Sequence, residues 1–321
     1  MRAARYESYG APEAIHIEDI ETPTPADGEL LVRVRAATVN RTDCAILAAH
    51  PFFMRMFTGL WTPKRRTLGT DFAGRVEAVG ARVTRYAAGD LVWGFEELGA
   101  SSHAEHLVIA EDAAVARMPP ELDFKDAAAC LEGAFYAWSF LNKVKVGPTT
   151  HVIINGATGA IGSALLQLCV DAGATVTAVG DTKNLDRLRS LRATRVIDYL
   201  TEDFTDDTAT YDYVFDAVGK STFGRCRRLL RPGGVYMSSE LGPGWQNLVL
   251  PTITGLCRQK RVIFPIPEDK PGFFAHMHEL ARSGRFCPVI DRTFRLDSIR
   301  EAYAYVAAGQ KTGCVVVDVG G

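Results

Sequence analysis

Two periodicities divide the chain. In roughly the first hundred residues, short runs alternate apolar and polar positions: Leu30–Ala36 (LLVRVRA), Gly74–Val79 (GRVEAV) and, after Gly89-Asp90, Leu91–Phe95 (LVWGF). A period of two, punctuated by glycine and proline, predicts a small β-rich unit, barrel or sandwich. From about residue 119 the spacing changes. Residues 123–141 (DFKDAAACLEGAFYAWSFL) predict a mostly buried helix, HVIIN at 151–155 a buried strand, and Ile161–Ala172 a helix with apolar residues at helical spacing. A strand at Ala174–Val179, a helix at Asn184–Leu191 and strands at Arg195–Asp198, Tyr213–Val218 and Gly234–Ser238 follow. Between the last two lies a helix-like TFGRCRRLL, closed by a Pro-Gly-Gly turn. This alternation predicts an α/β unit with a parallel, doubly wound sheet and right-handed crossovers. Arg261–Ile266 (RVIFPI) reads as an edge strand, and the tail from Phe273 as helices ending in a strand, CVVVDV.

One segment breaks the β pattern. Residues 50–66 (HPFFMRMFTGLWTPKRR) are aromatic, methionine-bearing and then basic. They suit a lid or pocket wall, or equally a surface excursion packed on its own unit. The length of 321 residues suits about two domains. A formal charge of −2 gives no global field toward nucleic acid or an anionic membrane, so the short basic clusters, Lys64-Arg65-Arg66 among them, read as solvated faces. No apolar run reaches about 18 residues, so no membrane-spanning helix is expected. The opening MRAARYESYG lacks the apolar core of a secretory signal. Seven scattered cysteines without a CxxC pair suit a reducing cytoplasm, with thiols as small core residues.

The chemical signal with the most context is Asn155-Gly156-Ala157-Thr158-Gly159-Ala160-Ile161-Gly162, which leaves a buried strand and opens a helix. Aligned on the dinucleotide fingerprint, Ala157, Gly159 and Gly162 take the three small-residue positions. Gly159 would admit the pyrophosphate to backbone N–H groups, and Gly162 would let helix and sheet pack closely. Cofactor choice is read after the second strand, at Val179-Gly180-Asp181-Thr182-Lys183-Asn184. Gly180 would leave room for a 2′-phosphate, with Thr182, Lys183 and Asn184 as donors, which favours NADPH. Asp181 argues for a free ribose hydroxyl and NADH, unless Asp181 and Thr182 only cap the next helix.

VNRTD (39–43), LGTDFAGRVEAVG (68–80), GDLVWG (89–94), the phosphate turn, RVIDY (195–199), DYVFDAVGK (212–220), LLRPGG (229–234) and KTGCVVV (311–317) occur in this order across nearly the whole chain. Together they resemble the medium-chain dehydrogenase/reductase superfamily, in its zinc-free quinone oxidoreductase-like branch. The resemblance implies a Rossmann domain over 119–266 and a GroES-like catalytic domain from 1–118 and 267–321. It places Tyr199 and Val218 beside the dinucleotide, and Asn40, Asp43 and Tyr136 near the nicotinamide. Asn40 and Asp43 also suit a turn, and Tyr136 a core aromatic. Many relatives are dimers, and Arg261–Ile266 offers an edge for a homodimer.

Zinc-dependent members ligate their metal with Cys, His-Glu and Cys. Here the corresponding points hold Asn40, Thr70-Asp71 and the stretch around Glu132, which are poor zinc ligands. His103 and His106 lack further partners in the sequence, so no metal is expected. Without a Lewis acid, a quinone or enone suits the site, because conjugate reduction spreads charge through the acceptor itself. Arg41, Ala45, Tyr136 and Cys314 depart from the family pattern, and Ala45 removes a tyrosine that could protonate the product; solvent could supply that proton. The expected activity is NADPH-dependent, zinc-independent reduction of a quinone or α,β-unsaturated carbonyl. An enoyl-thioester reductase and a low-turnover NADPH-binding sensor or structural protein are the alternatives.

Overall fold

The computed structural model describes residues 1–257 and 259–320. In chain order its first elements are β1 (Arg2–Arg5), β2 (His16–Asp19), β3 (Glu29–Val39), α1 (Arg41–Ala48), α2 (Arg55–Thr58), β4 (Asp71–Val79), β5 (Leu91–Phe95), β6 (His106–Ala110), β7 (Val115–Arg117), α3 (Phe124–Ala129) and α4 (Glu132–Leu141). There follow β8 (His151–Asn155), α5 (Ala160–Asp171), β9 (Thr175–Gly180), α6 (Leu185–Ser190), β10 (Arg195–Asp198), β11 (Tyr211–Asp216), α7 (Phe223–Cys226) and β12 (Leu230–Ser238). The last are α8 (Gln246–Cys257), β13 (Arg261–Ile263), α9 (Lys270–Arg282), β14 (Ile290–Arg295), α10 (Ile299–Ala307) and β15 (Cys314–Asp318). They form two compact units, Met1–Glu132 with Lys270–Gly321, and Gly133–Asp269.

The first unit is built on a sheet in the order β14-β15-β3-β4-β5-β7, with β6 also pairing β3. The long β3 carries this architecture: it pairs β15, β4 and β6, all antiparallel, along its eleven residues. Its apolar positions Leu30, Val32 and Val34 are buried in the core with Phe72, Val76, Val92, Val315 and Val317. α10 covers this core because Ile299, Ala302, Tyr303 and Val306 fall on one stripe at helical spacing, and all four are buried. α3 packs on β3, β4 and β15 and so belongs to this unit, which therefore extends beyond the expected boundary at residue 118.

The second unit holds a six-stranded parallel sheet in the order β10-β9-β8-β11-β12-β13. Counted within the unit this is 3-2-1-4-5-6, with the winding reversing between β8 and β11, where dinucleotides bind in such sheets. Continuous apolar runs such as Val152-Ile153-Ile154 are fully buried, as strands covered on both faces require.

Two expectations change, and one helix is added. The helix expected over 123–141 is two helices: α3 ends where Cys130 and Leu131 donate to carbonyls three residues back, tightening the last turn. The edge strand stops at Ile263, because Pro265 has no N–H for the ladder and Ile266 turns back to bond Phe264. α8 went unread because Pro251, inside it, suppresses a helical reading.

Candidate functional site

In the second unit, the segment from Gly156 to Gly162 joins β8 to α5. Gly156 has φ +77°, and a Cβ there would stand 2.8 Å from that of Val218. The turn therefore needs glycine at Gly156, one residue before the position the fingerprint alignment singled out. Ala157 is buried and its N–H donates to Val179 O at 3.0 Å. A Cβ on Gly162 would stand 2.1 Å from Gly156 O, so helix and turn meet at backbone contact. Gly159 is the N-cap of α5 and has no side chain with which to cap it. The N–H groups of Ala160, Ile161 and Gly162 open the helix without intrahelical acceptors, and Thr158, Gly159, Ala160 and Ile161 around them are half-buried. This is an anion cradle of backbone donors at the positive end of a twelve-residue helix, and it fits a dinucleotide's pyrophosphate.

The flanking residues are less open than the sequence suggests. At Gly180 the missing Cβ's space is filled by Leu188 Cδ1 and Thr158 Cγ2, each 2.8 Å from its place, so glycine here serves packing rather than clearance for a phosphate. Thr182 donates its hydroxyl hydrogen to Asp198, and Asn184 Nδ2 donates to Asp181 at 2.5 Å. Lys183 remains largely exposed, with Nζ 3.6 Å from Asp181. Tyr199 is half exposed, and its N–H bonds Gly180 O at 3.0 Å. Two residues that went unread complete this locus. Asp216, fully buried at the end of β11, accepts from Asn155 Nδ2 (3.0 Å), Gly219 N (2.9 Å) and Ser221 N (3.0 Å), which fixes the loop carrying Val218. Gly133 lets α4 press on α5, since its Cβ would stand 2.8 Å from that of Ala160. Tyr136 lies half-buried on α4, beside Phe135.

In the first unit, a buried polar cluster gathers where β3 passes into α1 and where β4 begins. The Asp71 carboxylate accepts from Thr38 N (2.9 Å), from Thr38 Oγ1 (2.8 and 2.7 Å to its two oxygens) and from Asn40 Nδ2 (3.1 Å). It also accepts from the peptide N–H of Glu132. Asn40 Nδ2 donates its second hydrogen to Thr38 Oγ1 at 2.7 Å, so both its amide hydrogens are committed, while its side-chain oxygen faces the Asp43 N–H in a capping box. Asn40 is the N-cap of α1, and its N–H donates to Asp43 Oδ2 at 2.7 Å. Asp43 Oδ1 and Thr70 Oγ1 are buried without a hydrogen bond of normal geometry among the described residues, although Thr70 lies near enough to stabilise the Asp43 carboxylate.

Three buried carboxyls thus sit together, and burial orders their protons. Burial raises Asp71 to about 6, opposed by its many donors. Burial, reinforced by the charge on Asp71, pushes Glu132 up to about 8, although Thr42 and Lys311 pull it down. Asp43 is raised well above the usual range by burial and by Glu132 and Asp71. At neutral pH the anion is Asp71, and Glu132 holds a proton it can donate in a hydrogen bond. Asp71 and Glu132 were read only as points where a metal ligand is missing; nothing local in the sequence signals that residues 38, 71 and 132 meet.

Nor does this cluster suit zinc. Asn40 faces Asp71 with its amide hydrogens, and Thr70 offers a neutral hydroxyl. His103 donates from Nε2 to Thr38 O at 2.9 Å, since a carbonyl can only accept, which leaves Nδ1 to accept from Tyr303 at 3.3 Å. Burial lowers His103 to about 4, so it stays neutral with both nitrogens engaged. His106 pairs with Glu77 at 2.9 Å. Among the described residues, no three His, Cys, Asp or Glu side chains converge as metal ligands.

Residues 26–120 match the family of alcohol dehydrogenase GroES-like domains, and residues 191–317 match the zinc-binding dehydrogenase family. The chain is 29% identical over 334 residues to the chloroplastic quinone-oxidoreductase QR1 of Triphysaria versicolor, covering 99% of this chain and 98% of that protein. It is 30% identical over 246 residues to the zinc-type alcohol dehydrogenase-like protein C16A3.02c of Schizosaccharomyces pombe, covering 72% and 70% respectively. In fold it is similar to the quinone oxidoreductase from Coxiella burnetii, with a TM-score of 0.85 over 100% of this chain and 99% of that one, at 22% identity.

Proposed function

Since the chain belongs to the medium-chain dehydrogenase/reductase superfamily, in its quinone oxidoreductase-like branch, and is an oxidoreductase, we propose that it reduces a quinone or α,β-unsaturated carbonyl with NADPH and without zinc. Its architecture is a Rossmann unit with a GroES-like β-rich unit. The observation that carries the reading is the uncapped start of α5, cradled by Gly156, Gly159 and Gly162. Bound there, a reduced nicotinamide supplies hydride. The residues Gly156 to Gly162 would hold the pyrophosphate, Tyr199 and Val218 would flank the cofactor, and exposed Lys183 is the donor to meet a 2′-phosphate, since Thr182 and Asn184 donate to Asp198 and Asp181. Asn40, Asp43 and Tyr136 are the residues we assign to the nicotinamide end, with Asn40 and Asp43 held rigid by the Asp71 network.

A conjugated acceptor suits a site without a Lewis acid. It spreads the incoming charge over its own π system, so hydrogen-bond donors suffice, and water can deliver the proton. The donor set around Asn40 and Thr70 supports zinc independence. Asp181 at the end of β9 favours NADH as the second reading of the cofactor. The outer edge of β13, unpaired among the described residues, supports a homodimer, which light scattering would test.

Steady-state oxidation of NADPH and of NADH with quinones, enones and enoyl thioesters, with a chelator present, tests the proposal. Turnover of quinones or enones that the chelator leaves intact is expected. Cofactor binding with no turnover of any acceptor would favour a sensor, and chelator-sensitive alcohol oxidation would restore zinc. In Lys183→Ala the preference for NADPH should fall by roughly tenfold, the value of one charge-assisted contact; an unchanged ratio removes Lys183 from phosphate recognition.

A further inference from the structure

Residues 50–66 have no place in the chemistry above, and their surface is unusual for a chain of net charge −2. The segment contains Arg55, Lys64, Arg65 and Arg66 and no acidic residue. Five of its apolar side chains face solvent: Trp61 is 83% exposed, Met56 74% and Phe52 70%, with Phe57 and Leu60 more than half exposed. Exposed apolar residues scattered singly are ordinary, but five within ten positions make a patch that calls for a partner.

The patch is held in place from beneath. Tyr9 donates its hydroxyl hydrogen to Gly59 O at 2.6 Å and lies 2.9 Å from Thr58 Oγ1. Thr58 donates to Met54 O at 3.0 Å, and Lys64 N to Thr58 O at 2.8 Å. The Arg55 guanidinium stacks 4.9 Å from the centre of the Tyr9 ring and 5.4 Å from that of Phe52. The segment is thus anchored inward through Tyr9 and Thr58 while these five large side chains stay exposed. Of the four cations, Arg66 meets Glu7 at 3.1 Å; Arg55, Lys64 and Arg65 pair with no carboxylate among the described residues, although Arg65 donates one guanidinium hydrogen to Gly99 O. Beneath the segment lies a cavity of about 250 Å³, lined by Ile46, Phe57, Leu68 and Leu98 with Lys64 and Arg65. Apolar walls therefore continue inward from the exposed patch, with cations beside them.

We propose that residues 50–66 dock this protein on an anionic lipid bilayer. Trp, Phe, Leu and Met side chains would enter the boundary between headgroups and acyl chains while Lys64 and Arg65 meet lipid phosphates, the division of labour of an interfacial segment. The charge argument selects this occupant. Cations with no carboxylate partner among the described residues, set around an apolar patch, are complementary to a surface both anionic and apolar, whereas an identical patch on a second copy would bring like charges together. If the proposed quinone chemistry holds, docking would bring the enzyme to acceptors dissolved in the bilayer; that consequence rests on the proposed function, and the docking itself does not.

Co-sedimentation of the full chain with vesicles needs no turnover and so tests docking separately. Binding is expected to vesicles of equal parts phosphatidylcholine and phosphatidylglycerol, to be weak on phosphatidylcholine alone, and to fall as salt is raised. K64Q/R65Q should weaken the partition by about 25-fold, at roughly fivefold per cation. W61S should weaken it by tenfold or more, with circular dichroism and quinone reduction of both variants unchanged. No binding to the anionic vesicles, or equal binding by K64Q/R65Q, overturns the proposal. So does a wild-type oligomer that W61S dissociates, since the patch would then be covered by a second copy.

Discussion

In the βαβ unit the candidate cofactor site is made of backbone: three glycines, an uncapped helix start and a left-handed turn within seven consecutive residues. In the β-rich unit the corresponding polar locus gathers residues 38, 40, 43, 71 and 132: Thr38, Asn40 and the Glu132 peptide donate to the buried Asp71 carboxylate, and Asp43 accepts from Asn40 N. The first tolerates no added carbon at Gly156 or Gly162 and holds no charged side chain of its own. The second is crowded with ionisable groups whose protons are set by burial. A site of the first kind should fail by steric insertion and be indifferent to pH, and one of the second kind should answer to pH and to isosteric changes of charge.

The largest effect should come from Glu132→Gln and is a matter of pH. The folded protein holds a proton on Glu132 up to about pH 8, whereas the group's ordinary value is 4.5. Between those values the native state binds more protons than the unfolded chain, so this group's contribution to stability is full below about 4.5 and is lost as pH rises through 8. The loss has a ceiling of about 5 kcal/mol. Urea unfolding of wild type and Glu132→Gln across that range should show the slope flattened in the variant, and parallel profiles would mean that Glu132 is not the buried acid described here.

Gly162→Val should follow, at about 3 kcal/mol, because its first added carbon meets Gly156 O. Cofactor affinity, read by fluorescence titration, should be lost with it at every pH. A variant that binds NADPH normally would show that the turn yields where the structure has it at contact distance. The smallest effect should be that of Tyr303→Phe, which removes the hydroxyl donating to His103 Nδ1 and should cost about 1 kcal/mol by urea unfolding. A much larger loss would mean that the His103 ring supports the Asp71 network through Thr38 more tightly than one hydrogen bond allows.

How much of each site could be read in the sequence follows from the same contrast. The phosphate turn was legible because its requirements are local: small residues, a strand before it and a helix after it. Even there the detail shifted, since Gly156 and not the aligned Ala157 takes the left-handed conformation, and Gly180 turned out to be spaced by Leu188 and Thr158. The donors expected from Thr182 and Asn184 face Asp198 and Asp181, partners that only the packed loop brings to them.

By itself, then, the sequence determined the alternation of strands and helices, the parallel winding and the place of the phosphate turn, because periodicity and glycine act over a few neighbouring residues. Tertiary structure decided which carboxyls lie together, which of them keeps its proton and which side chains remain free to meet a ligand. Thr38 and Glu132 stand far apart along the chain yet meet the same Asp71. A proton's affinity depends on the water excluded and the charges brought near, and neither exists until the distant strands have packed.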